Sequence, residues 1–422
     1  MRRHFHTIVI GGGCLGVASA VSLTRRKGRD CRGSVCLLEK AVLGAGLSSR
    51  HSAIIRSANS STTAARLATK STQIWKDLSR VWGVSIAWER VGAIWIGDRS
   101  SLPHSPNPWR QLESKMQNIG VDFHAIDQTE ARRLTADKLR IDPDELFFSE
   151  PDVLQLESAD VLQAMQSAIT TNEVVLYEHT QVEKFILDGQ GRISGVQTNH
   201  GDFHCDFLVN AAGGWSADLF ASVGLSVPVA LEPVYAANWL ISSSDLPESL
   251  PIIADYSNFI YFRRWHGSIL HMHRPRQREQ QKIAGSFGRS LMNPSGADII
   301  YDAFNYAVSQ QHLAEYSAKL RDRFPGIGRA IFSGGYVSYF DITPDLKFIL
   351  GPDNQISNLF HCLGAGQALK YAPIFGELIA EGILNGVNKD DSLAEFSISR
   401  FSGKPLEELW RGGELAPNTN QL

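Results

Sequence analysis

Three glycines, Gly11, Gly13 and Gly16, constrain this chain more than any other feature. They follow an apolar run at 7–12 and precede a helical pattern at 14–26. Glycine at these places permits a tight turn, a close approach of the backbone to a pyrophosphate and close packing of helix on strand, while the helix N-terminus attracts negative charge. The spacing therefore predicts a dinucleotide site. Its first binding residues are Gly11, Gly13, Cys14, Leu15 and Gly16.

A second apolar run, at 34–39, completes a strand–helix–strand unit and ends in Glu39. A carboxylate about 20 residues beyond the last glycine can accept hydrogen bonds from the ribose hydroxyls of an adenosine. The same negative charge repels a 2′-phosphate, so FAD or NAD is favoured over NADP. Lys40 follows directly and joins Glu39 in the predicted site.

Two later segments favour FAD over NAD. The strand-like segment 208–216 carries small residues that permit a backbone approach from the other side of the dinucleotide. Segment 364–370 opens a helix predicted at 370–384, whose N–H groups can hydrogen-bond a flavin oxygen and stabilise negative charge on a reduced flavin. Together with a β-meander predicted between 174 and 210, these segments supply Val182, Ala211, Ala212, Gly213, Trp215, Gly364, Gly366, Gln367, Ala368, Leu369 and Lys370 as predicted cofactor residues.

These signals, in this order, resemble the D-amino acid oxidase superfamily of flavoproteins. Within it, the chain is most similar to the branch of sarcosine oxidase, dimethylglycine dehydrogenase and D-arginine dehydrogenase. The resemblance covers nearly the whole chain and is thinnest between 225 and 335. Ser48-Ser-Arg-His-Ser-Ala-Ile-Ile-Arg56 is similar to the loop that passes over the flavin ring, and Phe340-Asp-Ile-Thr-Pro-Asp345 to a segment before the last strand. The resemblance implies flavin contacts from Ser48, Ser49, Arg50, His51 and Ser52.

The predicted fold class is α/β, with a discontinuous Rossmann-type FAD-binding domain and an α+β substrate domain that contains a mixed or antiparallel sheet. A chain of 422 residues is long enough for two cores. We assign residues 1–90, 150–225 and 336–400 to the FAD-binding domain, 91–149 and 226–335 to the substrate domain, and 401–422 to a peripheral tail. Helices are predicted at 62–82, at 158–171 with Ser158 as N-cap, and near 298–323.

Composition and charge exclude several classes of protein. A net charge of −3 lacks the basic excess that nucleic-acid binding requires. No stretch approaches the roughly 20 apolar residues of a transmembrane helix. Five scattered cysteines without CxxC spacing indicate a reducing cytoplasm and no disulfide framework. His271 and His273 alternate on a predicted strand without a third ligand, so no metal site is predicted.

The resemblance places Lys370 where sarcosine oxidases carry a carboxylate-binding lysine, and Arg56 where a family arginine reaches the same carboxylate. The alternative for Lys370 is a solvent-facing side chain, and the alternative for Arg56 is a structural ion pair. A cation is disfavoured at a helix N-terminus, which weakens the first alternative. The two residues predict an amino acid substrate, because a carboxylate in a desolvated site requires cationic partners.

His51 and Tyr261 are the other candidates for catalysis. Dimethylglycine dehydrogenase relatives bond a histidine of this loop to the flavin, but here the flanking Trp and Gly are missing. We therefore predict non-covalent FAD, with attachment through His51, a non-covalent active-site role and a structural role left open. Tyr261 resembles a strand tyrosine over the flavin in D-arginine dehydrogenase, and a core tyrosine is the alternative.

We therefore predict an FAD-dependent amine or amino acid oxidase or dehydrogenase that acts on a secondary, N-methyl or D-amino acid. Hydride transfer to flavin N5 would give an imine that hydrolyses. The electron acceptor is predicted to be oxygen, a quinone or a partner protein. Oxygen should be the poorer acceptor, because segment 267–273 lacks the oxygen-activating lysine of monomeric sarcosine oxidase and has only His271 in its place. FAD-dependent 2-hydroxy acid oxidation and an electron-relay subunit of a larger complex remain as alternatives.

Overall fold

The computed structural model describes residues 3–27, 33–98, 108–265, 267–273, 308–364, 366–386, 391–405 and 408–409. In these ranges the strands are β1 His4–Ile10, β2 Val35–Leu38, β3 Ile54–Ile55, β4 Glu89–Arg90, β5 Ala93–Asp98, β6 His124–Ile126, β7 Glu145–Glu150, β8 Leu154–Gln155, β9 Val175–Tyr177, β10 Val182–Leu187, β11 Ile193–Thr198, β12 Gly201–Asn210, β13 Ala230–Leu240, β14 Ile252–Asp255, β15 Ile260–Trp265, β16 Ile269–His273, β17 Ile331–Ile342, β18 Ile349–Pro352 and β19 Leu359–Leu363. The α-helices are α1 Cys14–Lys27, α2 Thr62–Lys76, α3 Ser79–Trp82, α4 Pro108–Asn118, α5 Gln128–Leu134, α6 Ser158–Thr171, α7 Ser216–Ala221, α8 Gln310–Arg323 and α9 Ala368–Asn385.

The first large sheet is built around β1, which pairs in parallel with β2 on one side and with β12 on the other. Strand β19 continues the parallel core beside β12, and the β10–β11–β12 meander extends it with antiparallel pairs. Helices α1 and α9 pack so closely that a Cβ on Gly376 would lie 2.4 Å from the Ala18 carbonyl oxygen. The predicted strand–helix–strand unit is confirmed, and it supports a Rossmann-type sheet.

The second large sheet has the strand order β17-β13-β16-β15-β14-β5-β7-β6. Its described pairs are antiparallel except β14 with β5, so the sheet is mixed, as predicted. Strand β17 crosses the assigned boundary at residue 336. Its residues up to Ile342 stay in the second sheet because they continue the ladder that pairs Ala230 of β13 with Ile342.

Three details of the predicted secondary structure are wrong. The single helix predicted at 62–82 is two helices, because the first ends with Asp77 outside helical geometry. Ser158 is the first residue of α6 rather than its N-cap, which is Glu157. The strand predicted to start the meander, β9, pairs in parallel with β2 instead. Of the helix predicted near 298–323, residues 310–323 form α8 and residues up to 307 lie outside the described part.

Four cysteines, Cys14, Cys36, Cys205 and Cys362, are buried free thiols. Cys31 lies outside the described residues. Within the described ranges no helix is long and apolar enough to cross a membrane.

Candidate functional site

The larger of two adjoining cavities, about 460 Å³ in volume, lies at the carboxyl ends of β1 and β2. Its wall is formed by the glycine turn, the end of β2, the 46–48 loop, the start of β10 and the segment after β12. Predicted cofactor residues in this wall are Gly11, Gly13, Cys14, Leu15, Glu39, Lys40, Ser48, Val182, Ala211, Ala212, Gly213, Trp215 and Ala368. Sites of this kind, at the carboxyl edge of a parallel sheet, bind dinucleotides.

The glycine turn is sterically fixed at two positions. Gly11 has φ +106, and a Cβ there would lie 2.4 Å from the Ala211 carbonyl oxygen. A Cβ on Gly16 would lie 1.8 Å from the Gly11 carbonyl oxygen, so Gly16 serves the packing of α1 on β1 and does not line the cavity. At Gly13 a Cβ would meet a side-chain atom, Ser48 Oγ, at 3.1 Å, which leaves this backbone open toward the cavity.

Glu39 braces the same turn. Its two carboxylate oxygens accept hydrogen bonds from the Gly12 amide at 2.7 Å and the Ala41 amide at 2.8 Å. The Cys14 amide at the start of α1 donates to Ser48 Oγ at 2.9 Å, which ties the 46–48 loop to the helix N-terminus. The carboxylate and the helix start are therefore both held in one preorganised wall.

The smaller cavity, about 190 Å³, adjoins the larger one and shares five lining residues with it: Cys14, Leu47, Ser48, Asp341 and Ala368. Its predicted site residues are Cys14, Ser48, Arg50, His51, Ser52, Arg56, Tyr261, Gly366, Gln367, Ala368, Leu369 and Lys370. All four predicted catalytic residues, from three distant parts of the chain, thus lie in one wall. Ser49 and Gly364 line neither cavity.

Lys370 is buried in the first turn of α9, and its Nζ has no hydrogen-bond partner among the described residues. The amine lies 4.9 Å from the centre of the Tyr371 ring. Burial first, and then the positive charge of Arg56, lowers the pKa of Lys370 well below its usual value, against the pull of Glu150. A buried amine without a partner is unfavourable for folding, and ionisable groups with strongly shifted pKa values are concentrated at functional sites.

Arg56 is buried and stacks over Trp95, with its guanidinium carbon 4.7 Å from the ring centre. It also donates to the Ala58 carbonyl oxygen. Burial opposes its charge, but Tyr256, Tyr261 and Glu150 outweigh that effect, so the pKa of Arg56 lies above its usual value. Arg56 is therefore a permanent cation in the cavity wall.

Glu150, at the end of β7, is a buried acid that the sequence patterns did not reveal. One oxygen accepts from the Ser57 amide at 2.6 Å and the Ala58 amide at 2.9 Å, and the other from Trp95 Nε1 at 3.2 Å. Burial raises the pKa of Glu150, and Arg56 and these backbone donors oppose that rise. The carboxylate thus fixes the backbone that carries Arg56.

Tyr261 lies in the cavity wall as part of an aromatic cluster. Its hydroxyl is hydrogen-bonded to that of Tyr256, whose ring stacks on Trp95 with 5.6 Å between centroids. On the α9 side, Asn59 Nδ2 donates to the Tyr371 hydroxyl at 3.2 Å. Arg56 and Lys370 are consequently surrounded by aromatic groups, which lowers the local dielectric constant and strengthens a charge contact with a ligand.

His51 is held in a defined orientation. The Ala53 amide donates to His51 Nδ1 at 3.1 Å, and Ser158 Oγ donates to the His51 carbonyl oxygen at 3.1 Å. Ala53 has φ +49, a conformation that non-glycine residues rarely adopt and that is concentrated at functional sites. Burial and then the charge of Arg263 lower the pKa of His51 to about 4. With Nδ1 accepting, the neutral ring carries its proton on Nε2, which has no partner in the described chain.

Arg263 holds the backbone next to His51 in place. It is almost fully buried and donates to the carbonyl oxygens of Ser52 and Leu156, and its Nη2 lies 3.4 Å from Glu157. His271, the possible substitute for the oxygen-activating lysine, lines neither cavity and contacts Asn238 Oδ1 at 2.7 Å. The structure therefore does not bring His271 to the site.

Asp341 is a second buried acid that sequence reasoning missed, although it lies within the family-like segment 340–345. It lines both cavities, and its Oδ1 accepts from the Gly366 amide at 3.2 Å. Burial raises the pKa of Asp341 to about 7.

Among the described residues, no group of three or more His, Cys, Asp or Glu side chains is arranged to hold a metal ion.

The geometry fits a dinucleotide with an attached ring system. A glycine turn that excludes side chains, a helix N-terminus and a carboxylate surround the larger cavity, and the smaller cavity holds two buried nitrogen atoms without partners in the described chain. Fold and site together define a Rossmann-type dinucleotide-binding protein. The model of the DAO family, FAD dependent oxidoreductase, matches residues 6–382, and the chain belongs to this family.

Individual relatives are more distant. The chain is 26% identical over 403 residues to 4-methylaminobutanoate oxidase (formaldehyde-forming) of Paenarthrobacter nicotinovorans, with 95% of this chain and 46% of the relative covered. It is 25% identical to the mitochondrial pyruvate dehydrogenase phosphatase regulatory subunit of Mus musculus, with 93% of this chain and 43% of the relative covered. The chain thus spans less than half the length of these curated relatives. The crystal structure of L-proline dehydrogenase from P. horikoshii has the same fold, with a TM-score of 0.77, 19% identity and coverage of 98% of this chain and 99% of that one.

Proposed function

We propose that the chain binds FAD across the two cavities and oxidises the C–N bond of a small amino acid of the secondary, N-methyl or D-amino acid class. The observation that carries this proposal is the amine of Lys370, which is buried next to the charge of Arg56 and has no hydrogen-bond partner among the described residues. A substrate carboxylate would supply the missing partner. The name of the P. nicotinovorans relative, an oxidase of a methylamino acid, supports the same substrate class.

FAD would be held by the glycine turn, Glu39 and the start of α1, and when bound it accepts the hydride removed from the substrate carbon. Arg56 and Lys370 would orient the carboxylate, and Glu150 would keep the Arg56 backbone in place. Oxidation requires a neutral substrate nitrogen. Burial and Arg56 hold the pKa of Lys370 well below its usual value, so its charged form is disfavoured while no anion is bound. A bound substrate carboxylate would stabilise the protonated lysine and pair with it.

The flavin is proposed to be bound without a covalent link. The His51 Nδ1 lone pair accepts from Ala53, and the neutral ring then carries a proton on Nε2. Neither nitrogen is a free nucleophile in this arrangement. We further propose that a quinone, a dye or a partner protein accepts the electrons better than oxygen, since the described chain places neither a lysine from 267–273 nor His271 in the cavity wall.

The deciding experiment is anaerobic flavin bleaching by a panel of N-methyl amino acids, D-amino acids, simple amines and 2-hydroxy acids. Bleaching by amino acids, and not by amines that lack a carboxylate, is the expected result. Bleaching by hydroxy acids alone would replace the proposal with 2-hydroxy acid oxidation.

A second candidate is a flavin-binding subunit that carries out no oxidation itself. The similarity to a regulatory subunit over 93% of this chain favours it. A folded protein that binds FAD, while no member of the panel bleaches it, would select this candidate.

A further inference from the structure

Four buried polar side chains form a continuous relay from the turn between β18 and β19 to the larger cavity. Asp353 Oδ2 contacts His361 Nε2 at 3.0 Å, and His361 Nδ1 contacts Asn210 Nδ2 at 3.1 Å. Asn210 Oδ1 in turn accepts from the Ala212 amide at 3.2 Å and from Ser216 Oγ at 3.0 Å. His361, Asn210 and Ser216 are fully buried, so water does not compete for these bonds.

The backbone of Ala212 determines the hydrogen positions in this relay. A backbone N–H can only donate, so the Asn210 atom that it contacts is the carbonyl oxygen, and the atom that faces His361 is the NH₂ group. His361 Nδ1 must then be the acceptor, which leaves the ring proton on Nε2, where it donates to Asp353. The neutral Nε2–H tautomer of His361 satisfies every member of the relay.

The relay ends on backbone that faces the cofactor cavity. Ala211, Ala212 and Gly213 directly follow Asn210 and line this cavity. The Ala211 carbonyl is also the group that a side chain on Gly11 would strike. The orientation of the Asn210 amide therefore sets the turn that packs on the glycine fingerprint.

We propose that His361 is a positioning residue for the cofactor: Asp353 fixes its tautomer, and the ring orients Asn210 so that the turn at 210–216 is preorganised for FAD. Preorganisation increases affinity because less ordering has to occur on binding. The inference rests on the proposal that FAD occupies the larger cavity. The carboxylate chemistry proposed above involves no member of this relay.

Three substitutions separate the roles. His361→Leu removes the acceptor for Asn210, whereas His361→Asn retains a side-chain oxygen that can accept. Asp353→Asn keeps the oxygen that accepts from the Gln355 amide at 2.7 Å and from the Ile356 amide at 2.8 Å. Its new NH₂ group would face His361 Nε2 and move the ring proton to Nδ1, against the Asn210 NH₂.

FAD affinity of the reconstituted protein and the rate of FAD release from the holoprotein are the readouts. We expect His361→Leu and Asp353→Asn to bind FAD about tenfold more weakly, as for the loss of one or two neutral hydrogen bonds, and His361→Asn to recover most of that loss. The matched control is Asn358→Ala. Asn358 is another buried asparagine, whose amide bonds the Ile193 and Asp206 carbonyls but not the turn. It should lower the melting temperature and leave FAD affinity unchanged.

Unchanged FAD affinity in His361→Leu and Asp353→Asn would overturn the positioning role. If His361→Leu does not fold, Asp353→Asn decides alone. An equal loss of affinity in Asn358→Ala would also overturn it, because general loosening would then explain the effect. A wild-type protein that folds but binds no FAD would instead refute the proposed function on which the inference rests.

Discussion

The charge of Arg56 acts directly on Lys370. Both side chains are buried in the wall of the smaller cavity, and after burial itself the guanidinium is the largest cause of the low Lys370 pKa. Glu150, which interacts with both Arg56 and Lys370, offsets part of this positive charge. The pair is therefore prepared for one further anion, and the first two predictions concern it.

Lys370→Met and Arg56→Met should each weaken the binding of a simple carboxylate inhibitor about tenfold or more, since a hydrogen bond to a charged group contributes roughly 1.5–3 kcal/mol. FAD should stay bound in both variants. Inhibitor titrations that follow the flavin spectrum measure the effect. Lys404→Met, which changes an exposed lysine, is the control. Unchanged inhibitor affinity in both cavity variants would show that neither residue binds the carboxylate.

Lys370→Met should also stabilise the protein, on the order of 1–3 kcal/mol near neutral pH, because it removes a buried amine without a partner. The folded-state pKa of Lys370 lies below its unfolded value, so the unfolded chain binds more protons between the two values and wild-type stability rises with pH in that window. Urea unfolding at several pH values should show this slope in the wild type and a reduced slope in the variant. A variant less stable than the wild type at all pH values would contradict the prediction.

FAD affinity should fall as the pH rises above about 7, the pKa to which burial raises Asp341. Bound FAD would bring its dianionic pyrophosphate into the larger cavity, which Asp341 lines, and would raise this pKa further, so that binding would take up a proton. The groups that face Asp341 include the backbone amides of Gly366 and Gly364 and the thiol of Cys14, which stays protonated because burial raises its pKa to about 11. Calorimetry in buffers of different ionisation enthalpy measures the proton uptake, and Asp341→Asn should abolish it. A pH-independent affinity in the wild type would refute the linkage.

Acid precipitation should release the flavin from the protein, because the His51 ring is neutral and both of its nitrogens are occupied, Nδ1 by the Ala53 amide and Nε2 by the ring proton. The expected result is a colourless pellet and a yellow supernatant. A yellow pellet that becomes colourless in His51→Ala would establish a covalent link instead.

Substitutions at two glycines of the fingerprint should have different effects, one on fold stability and one on FAD binding. Gly11→Ala should destabilise the fold by about 1–3 kcal/mol, because φ is +106 and the new Cβ would meet backbone at 2.4 Å. Gly13→Val should leave a folded protein, since its neighbour is the side chain of Ser48, but should abolish FAD binding by blocking the pyrophosphate approach. Melting temperature and flavin absorbance distinguish the two. A Gly13→Val protein that still binds FAD would place the pyrophosphate elsewhere.

The parts of the fold whose causes lie close together in the chain can be predicted from local pattern alone. The glycine turn, α1, β2 and Glu39 lie within 40 residues of one another, so spacing and hydrophobic pattern specify them, and the structure has them as predicted. The start of α9 was equally readable from Gly364 to Lys370. The N-cap of α6 could not be predicted in the same way. Backbone geometry decides which residue caps the helix, and here it is Glu157 rather than Ser158.

Which buried groups face each other depends on how distant segments of the chain pack. Glu150 reaches amides 92 and 93 residues away in sequence, and Asn210 meets His361 across 151 residues. No local pattern encodes such distances, since they result from the order in which strands pair in a sheet. The low pKa of Lys370 has the same origin: the sequence supplies an amine at a helix start, but burial beside Arg56, without a partner in the described chain, is what makes it a candidate for catalysis.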